Sequence, residues 1–121
     1  MMIMKQNKGI LFVAHGSPNK EANDFIIDLA HQLADESKMA ITPAFLNGNP
    51  VSIEEGFKNL VKKGLNKIDI FPYFLTPGGH TQRDIPALVE NLKIQYPSIQ
   101  INLLEPIGLQ KPILEFILKC F

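Results

Sequence analysis

Two histidines follow strand-like runs in this sequence, at positions where ligand chemistry is common. His15 ends the stretch GILFVAH, and His80 ends the stretch KIDIFPYFLTPGGH. In an open parallel sheet the carboxyl ends of the strands form the ligand-binding edge, so residues distant in sequence can face one site. A neutral imidazole can coordinate a divalent transition metal or accept a proton near physiological pH. The pair therefore predicts a metal or proton-transfer site.

The residues beside each histidine suit a ligand-binding loop. Gly16 and Ser17 allow a tight turn and would leave main-chain N–H groups near the start of a helix, where anions bind. Gly78 and Gly79 allow positive φ and the close approach of a bulky ligand. Arg83 can hold an anionic group through its planar guanidinium. We therefore expect Ser17, Gly78, Gly79 and Arg83 to contact a substrate.

Each of these features also has a plain structural interpretation. A single histidine after a strand is more often a hydrogen-bonded loop residue than a ligand. The double glycine can be a flexible turn, Ser17 can cap a helix, and Arg83 can be a solvated side chain. Convergence of both histidines at one sheet edge is what favours a site. His31 lies within a predicted helix and Cys120 lies in the last one, and we assign neither a role.

Strand-like and helix-like stretches alternate along the chain in the order βαβαβαβα. The strands are short apolar runs, and we place them at residues 9–14, 41–46, 68–75 and 99–104. The helices carry apolar residues at helical spacing, and we place them at residues 20–37, 52–64, 84–96 and 111–121. Ser52 and Glu55 have capping-box spacing, and Gly64 is placed to end the second helix.

This order predicts a three-layer α/β domain, with a four-stranded parallel sheet and helices on both faces. In the common order of doubly wound, flavodoxin-like sheets, the first strand is central and the third lies beside it. The loops after these two strands carry His15 and His80. The predicted winding therefore brings both histidines to one crevice.

The composition limits the classes of function. The chain has 121 residues, 45% of them hydrophobic, so we expect one domain over residues 1–121 with a compact core. Its 12 basic and 12 acidic side chains cancel without a basic cluster, which argues against nucleic-acid and membrane partners. No apolar run approaches the roughly 20 residues of a membrane span. Because Cys120 is the lone cysteine and the first residues lack a secretory signal, we expect a cytoplasmic protein.

Three segments together resemble one protein family: HGS after the first strand, AFL ending the second, and PYFLTPGGHTQRDIP after the third. The chain is similar to the small, single-domain sirohydrochlorin chelatases of the CbiX and SirB type, in the class II chelatase superfamily. The resemblance runs from Gly9 to about Leu114 and is sharpest between Phe74 and Pro86. It implies a lyase that inserts divalent cobalt, iron or nickel into the tetrapyrrole sirohydrochlorin, in cobalamin or sirohaem biosynthesis.

The resemblance implies that His15 and His80 are the metal-site histidines. Inserting a divalent ion into a free-base macrocycle requires desolvating the ion and removing pyrrole N–H protons. We expect the imidazoles to hold the ion weakly enough to release it, and one of them to accept a proton. The tetrapyrrole carboxylates would contact Ser17 and Arg83. No organic cofactor and no ATP site is implied, since the chain has no phosphate-binding glycine loop ending in lysine.

A single crevice forms only one side of a pocket for a macrocycle roughly 10 Å or more across. The larger members of the family resemble a duplication of this unit. The resemblance therefore implies that the short form works as a homodimer with two-fold symmetry, in which the second copy supplies the opposing wall.

Two positions differ from the pattern of the family. Many relatives carry a glutamate directly after the FL pair, where this chain has Asn47, and an amide binds a divalent ion less strongly than a carboxylate. Relatives often carry an arginine after HGS, where this chain has Pro18. A non-catalytic CbiX-like protein that carries metal or tetrapyrrole thus stays an alternative. A flavodoxin-like module that binds a phosphate or flavin is a third, against which the two histidines argue.

Overall fold

The structure, a computed structural model, describes residues 8–76, 78 and 80–121, and the side chains of all of these except His80 and Thr81. The strands are β1 (Lys8–Ala14), β2 (Ala40–Phe45), β3 (Lys67–Pro72) and β4 (Gln100–Leu103). The helices are α1 (Lys20–Ser37), α2 (Ile53–Lys62), α3 (Ile85–Gln95) and α4 (Lys111–Lys119). The predicted alternation of strands and helices is confirmed.

The four strands form one parallel sheet in the order β2-β1-β3-β4. Val13 of β1 is in register with Ala44 of β2 on one side and with Pro72 of β3 on the other. The chain therefore reverses its winding direction at β1, and the crevice at that reversal lies between the loops that follow β1 and β3. The predicted doubly wound fold class is confirmed, including the central place of β1.

The core lies between the sheet and helices α2 and α3. Its buried members come from every strand and from both helices: Leu11, Val13, Ala44, Phe57, Leu60, Ile68, Ile70, Val89, Leu92 and Ile101. Because side chains alternate along a strand, Phe12 lies on the opposite face, where its ring stacks 5.6 Å from that of Phe71. Helix α1 contacts β2 and buries Ala30 completely.

Local signals in the sequence account for the helix ends. The Ser52 hydroxyl accepts a hydrogen bond of 3.0 Å from the Glu55 N–H, as the capping-box spacing predicts. Gly64 has a φ of +83° just after α2, the left-handed conformation that favours glycine. Helix α1 is capped by Asn19, whose side chain accepts a hydrogen bond of 2.9 Å from the Glu21 N–H.

The third strand is shorter than the sequence predicts, because it ends at Pro72 rather than at residue 75. The Tyr73 N–H still donates to the carbonyl of Val13 at 2.7 Å, but β1 then ends at Ala14 and offers no further partner. The residues after Tyr73 therefore leave the sheet, and the chain re-enters regular structure with a π-helical turn at His80–Asp84 that runs directly into α3. Such turns are rare and often occur at functional sites.

Within the described part of the chain, no helix combines the length and the apolar character that crossing a membrane requires.

Candidate active site

His15 is the first residue after β1, and hydrogen bonds fix the turn that carries it. Gly16 has a φ of +90°, and a Cβ at this position would overlap the Asn47 side chain. The Asn23 side chain of α1 accepts from the Ser17 N–H at 2.9 Å and donates to the Ser17 carbonyl at 2.8 Å. The turn therefore requires glycine at position 16, and the two hydrogen bonds to Asn23 attach it to α1.

The His15 imidazole is exposed, and one edge contact orients it. Its ring centroid lies 5.3 Å from that of Phe74, with an angle of 85° between the two planes. Phe74 belongs to the buried core and follows β3. Edge-to-face contacts of this kind contribute about 0.5–1.5 kcal/mol. The segment after β3 thus contacts the histidine after β1, as the strand order predicts.

A cavity of about 510 Å³ opens beside His15. Its volume lies in the range of roughly 300–1,000 Å³ that is common for ligand sites. Leu46 and Asn47, which follow β2, form one wall. The opposite wall consists of the residues Asp84, Ala87, Leu88 and Asn91. These four positions have the i, i+3, i+4, i+7 spacing of one helix face. Asp84 and the first two turns of α3 therefore present one face to the cavity, and this face contains both polar and apolar side chains.

Asn47 supports the turn of His15 from the side of β2. Its N–H donates to the His15 carbonyl at 3.1 Å, and its side chain lies against the Cα of Gly16. The Oδ1 atom of Asn47 accepts a hydrogen bond of 2.9 Å from the Asn49 N–H, which closes the loop after β2. The amide at this position therefore stabilises two loops at once, and it adds no charge to the cavity.

His80 begins the π-helical turn, so its main chain lies one turn before Asp84 on the segment that continues into α3. Its side chain lies outside the described residues, and so does the whole of Gly79. The predicted role of both residues stays a prediction. The described side chains, among which that of His80 is not included, form no group of three or more His, Cys, Asp or Glu residues that could hold a metal ion.

The structure places the other predicted substrate contacts around this loop. Gly78 is exposed, its φ is not in the left-handed region, and a Cβ there would meet nothing within 4 Å. The absence of a side chain at Gly78 therefore leaves open space rather than permitting an unusual backbone. Arg83 is exposed within the π-helical turn, and it is not among the residues that line the cavity beside His15.

The main-chain N–H of Ser17, where we expect an anion to bind, already has a partner within the protein. The Ser17 N–H is taken by Asn23, and its Oγ accepts a hydrogen bond of 3.0 Å from the Asn19 N–H. The hydroxyl hydrogen is the donor that Ser17 can still offer to a ligand. The nearby Lys20 ammonium contacts the Asp24 carboxylate at 2.8 Å, and this hydrogen bond raises the pKa of Lys20.

Sequence reasoning missed three residues of this region. The sequence patterns single out neither Asn23 nor Asn91, and position 84 enters only as the start of the third predicted helix. A signal for two of them was present, because Asp84 and Asn91 share one face of the predicted third helix at i, i+7 spacing. No local signal links Asn23 to the turn of Ser17, since that contact depends on how α1 leaves the sheet.

The fold and this site together define a class of protein. A doubly wound parallel sheet with an open cavity at its switch point is the arrangement of flavodoxin-like α/β domains, and the exposed His15 imidazole lies beside that cavity. Comparison with known families narrows the class. The family model CbiX matches residues 9–120, so the chain belongs to the CbiX family. The membership predicted from the HGS, AFL and GGH segments is confirmed.

Individual relatives agree with this assignment. The sirohydrochlorin cobaltochelatase of Saccharolobus islandicus (strain L.S.2.15 / Lassen #1) is 35% identical over 117 residues, which cover 92% of this chain and 91% of that protein. The sirohydrochlorin cobaltochelatase of Priestia megaterium is 31% identical over 112 residues, covering 91% of this chain and 36% of that protein. The chain thus spans about a third of the length of the second relative.

A solved structure shows the same architecture. The sirohydrochlorin chelatase SirB from Bacillus subtilis subspecies spizizenii, in complex with cobalt, superposes with a TM-score of 0.81 and 28% sequence identity. The match covers 93% of this chain and 48% of that chain. The present chain therefore corresponds to about half of that chelatase.

Proposed function

We propose that this protein is a sirohydrochlorin chelatase, a lyase that inserts a divalent metal ion into the tetrapyrrole. The observation that carries the proposal is the exposed His15 imidazole, held by a fixed turn at the mouth of the 510 Å³ cavity in a chain of the CbiX family. An exposed imidazole at the mouth of a cavity can bind a hydrated metal ion and release it to the tetrapyrrole, because at least one face of the ion stays accessible.

In the proposed reaction the metal ion and sirohydrochlorin are both substrates. His15 and His80 hold the incoming ion, and two pyrrole protons leave as the ring nitrogens take over coordination. One of the two imidazoles, released from the ion, accepts one proton, and solvent water accepts the other. Both roles require a neutral imidazole and weak binding of the ion. Gly78 and Gly79 leave room for the macrocycle, while Arg83 and the Ser17 hydroxyl contact its carboxylates.

The metal ion of the proposed reaction is Co²⁺ or Fe²⁺, with Ni²⁺ as a further candidate. Imidazole accepts all three ions, so the protein ligands alone do not choose among them. Cobalt is favoured by the names of the relatives, which are cobaltochelatases. Solved SirB structures hold cobalt in one case and Fe3+ in another, so they support both cobalt and iron as candidates. The corresponding pathway is cobalamin biosynthesis for Co²⁺ and sirohaem biosynthesis for Fe²⁺.

The working unit is proposed to be a homodimer of one-domain chains in the cytoplasm. The chain corresponds to 48% of the SirB chain, so a second copy would supply a length comparable to the rest of that protein. The cavity beside His15 is open, which leaves one side of a macrocycle uncovered by a single copy. The cytoplasmic location is supported by Cys120, an exposed free thiol of the kind that a reducing compartment preserves.

A metallation assay tests the proposed activity. Purified protein is mixed with sirohydrochlorin and Co²⁺ under anaerobic conditions, and the absorption change of metal insertion is followed. We expect a rate clearly above that of the protein-free mixture. His15→Ala and His80→Ala should each lower the protein-dependent rate by about 100-fold or more, because a positioned acid–base or metal-binding group contributes at least that much.

His31→Ala is the matched control, since His31 is an exposed histidine on α1 outside the cavity. Its rate should equal that of the wild type. A wild-type rate no higher than that of the protein-free mixture contradicts the enzyme. If that protein nevertheless binds Co²⁺ or sirohydrochlorin in equilibrium dialysis, the non-catalytic carrier is the function that replaces it.

A further inference from the structure

We propose that Asp84 is the carboxylate that holds the incoming divalent cation beside His15. The proposal rests on the proposed chelatase function, and it assigns a residue to the metal substrate that the two histidines leave incompletely coordinated. An imidazole that binds a metal does so as an uncharged ligand, and a divalent ion that leaves water is stabilised far better when a negative charge is also present.

The placement of Asp84 carries the proposal. It lines the same cavity as His15, on the side formed by the segment that leads into α3. Among the described residues that line this cavity, Asp84 is the only one with a carboxylate. The other polar groups there are the amides of Asn47 and Asn91, which bind a divalent ion weakly. A cation that enters the cavity therefore meets one anionic group.

A rigid element holds Asp84 in this position. Its φ of −72° and ψ of −42° are helical, so the π-helical turn joins α3 without a break. The following residue, Ile85, is 2% exposed and anchors the first turn of α3 in the core. Val89, one turn later, is 3% exposed and does the same. The carboxylate thus projects from a packed helix, which is the support that precise metal contacts need.

The same backbone connects Asp84 to the second predicted histidine. His80 and Asp84 are the first and last residues of the π-helical turn, which places them on one continuous segment. The loop after β1 supplies His15, and the segment after β3 supplies Asp84. The proposed cation contact therefore joins the two loops at the switch point, and it does not depend on the neutral Asn47.

Binding of Co²⁺ alone tests the role of Asp84. The affinity is measured by isothermal titration calorimetry without tetrapyrrole, for the wild type, Asp84→Asn, Asp84→Glu and Glu90→Gln. Asp84→Asn should weaken Co²⁺ binding by about tenfold or more, since even residues that only support metal ligands typically contribute 10- to 100-fold. Asp84→Glu keeps the charge and should recover part of the affinity.

Glu90→Gln is the charge-matched control. Glu90 is an exposed residue of α3 that contacts Lys93 at 3.7 Å and does not line the cavity, so its removal should change the affinity by less than about twofold. Equal affinity of Asp84→Asn and the wild type, equal loss in Glu90→Gln, or no Co²⁺ binding by the wild type would each overturn the proposal. Thermal melts identify any variant that is unfolded. If Asp84→Asn is unfolded, the Co²⁺ affinity of Asp84→Glu tests the proposal instead, since this variant keeps the negative charge.

The design separates this inference from the proposed function. A wild type that binds Co²⁺ through Asp84 but does not accelerate metallation contradicts the chelatase and leaves the cation contact intact. If instead the wild type accelerates metallation and Asp84→Asn binds Co²⁺ normally, the chelatase function holds and the role of Asp84 is contradicted. Where both hold, Asp84→Asn should raise the apparent KM for Co²⁺ and leave the KM for sirohydrochlorin unchanged.

Discussion

Asn47 is held in place by the loops that it connects. Its N–H donates to His15, its Oδ1 accepts from the Asn49 N–H, and its side chain fills the space above Gly16. The first contact is made by the main chain, so any residue keeps it, whereas a longer side chain moves its oxygen outward by one methylene and disturbs the other two. The neutral amide is therefore consistent with a structural role, and among the described residues that line the cavity Asp84 is the one with a carboxylate.

Replacing this amide by a carboxylate of the same length should strengthen metal binding. Asn47→Asp retains an oxygen that can accept from the Asn49 N–H, and it adds a negative charge to the cavity wall. We expect the Kd for Co²⁺ to fall by about tenfold, a modest effect for a charge this close to a divalent ion. The measurement is calorimetric titration with Co²⁺.

Asn49→Asp is the control for this variant, because it adds the same charge two residues away, where the side chain does not line the cavity. A gain in Asn49→Asp as large as that in Asn47→Asp would mean that the effect is general attraction of cations. An unchanged Kd in Asn47→Asp would place the ion away from the wall formed by Leu46 and Asn47.

At the scale of elements, the short 3₁₀ turn Ile107–Leu109 supports the loop after β3. The Gly108 N–H donates to the Phe74 carbonyl at 2.9 Å, and a Cβ on Gly108 would overlap the carbonyl group of Leu75. Phe74 in turn contacts the His15 ring. The position of the histidine thus depends on a glycine that follows the last strand.

Gly108→Ala should destabilise the protein and disturb this support. The added methyl group forces the backbone at Leu75 to move, and such overpacking costs about 1–3 kcal/mol. Urea unfolding measures the loss of free energy, and the metallation rate should fall because Phe74 moves with the loop. An unchanged unfolding midpoint would mean that the two segments separate easily.

Gly78→Ala provides the comparison, since open space surrounds that position. Its unfolding free energy should stay within about 0.5 kcal/mol of the wild type. Because Gly78 is a proposed substrate contact, the KM for sirohydrochlorin should rise in this variant. The two alanine variants thus separate a glycine required for packing from a glycine required for substrate access.

At the scale of the whole molecule, α4 is the element that a single chain leaves uncovered. One stripe of the helix and the residue beyond it is exposed: Leu114 at 59%, Ile117 at 45%, Leu118 at 57% and Phe121 at 95%. None of the residues of α4 is buried. Exposed apolar patches of this kind usually mark an interface. For the proposed homodimer we expect this stripe to lie in the contact between the two copies, where an isologous contact would pair the same surface from both chains.

Sedimentation tests this contact. The wild type should sediment at micromolar concentration as twice the chain mass of 13.6 kDa. Leu114→Glu places a charge in the stripe and should shift the protein to the 13.6 kDa species without loss of folding, because Leu114 is already exposed. Glu115→Gln, on the same helix, should remain dimeric. A wild type that sediments only as the monomer, with or without tetrapyrrole, contradicts the homodimer.

The sequence by itself determined the elements and their order. Strands and helix ends depend on residues that are close together in the sequence, so local patterns predict them. Examples are the apolar runs of the strands, the capping pair Ser52 and Glu55, and Gly64 at the end of α2. The alternation of strands and helices then allows only a few strand orders, because crossovers between parallel strands are right-handed. This strand order places His15 at the switch point. The family motifs are short stretches of sequence, so they are recognised without the structure.

The tertiary structure decided which distant side chains meet. Asn23 accepts a hydrogen bond from the Ser17 N–H, and the Gly108 N–H donates to the Phe74 carbonyl, yet no periodicity or motif predicts these contacts. For Asp84 the helical spacing indicates a shared face with Asn91, but only the tertiary structure shows that this face lines the cavity beside His15. The end of β3 at Pro72 likewise depends on where its neighbour β1 stops. Local patterns encode backbone conformation, whereas these contacts depend on the angles and distances at which packed elements approach one another.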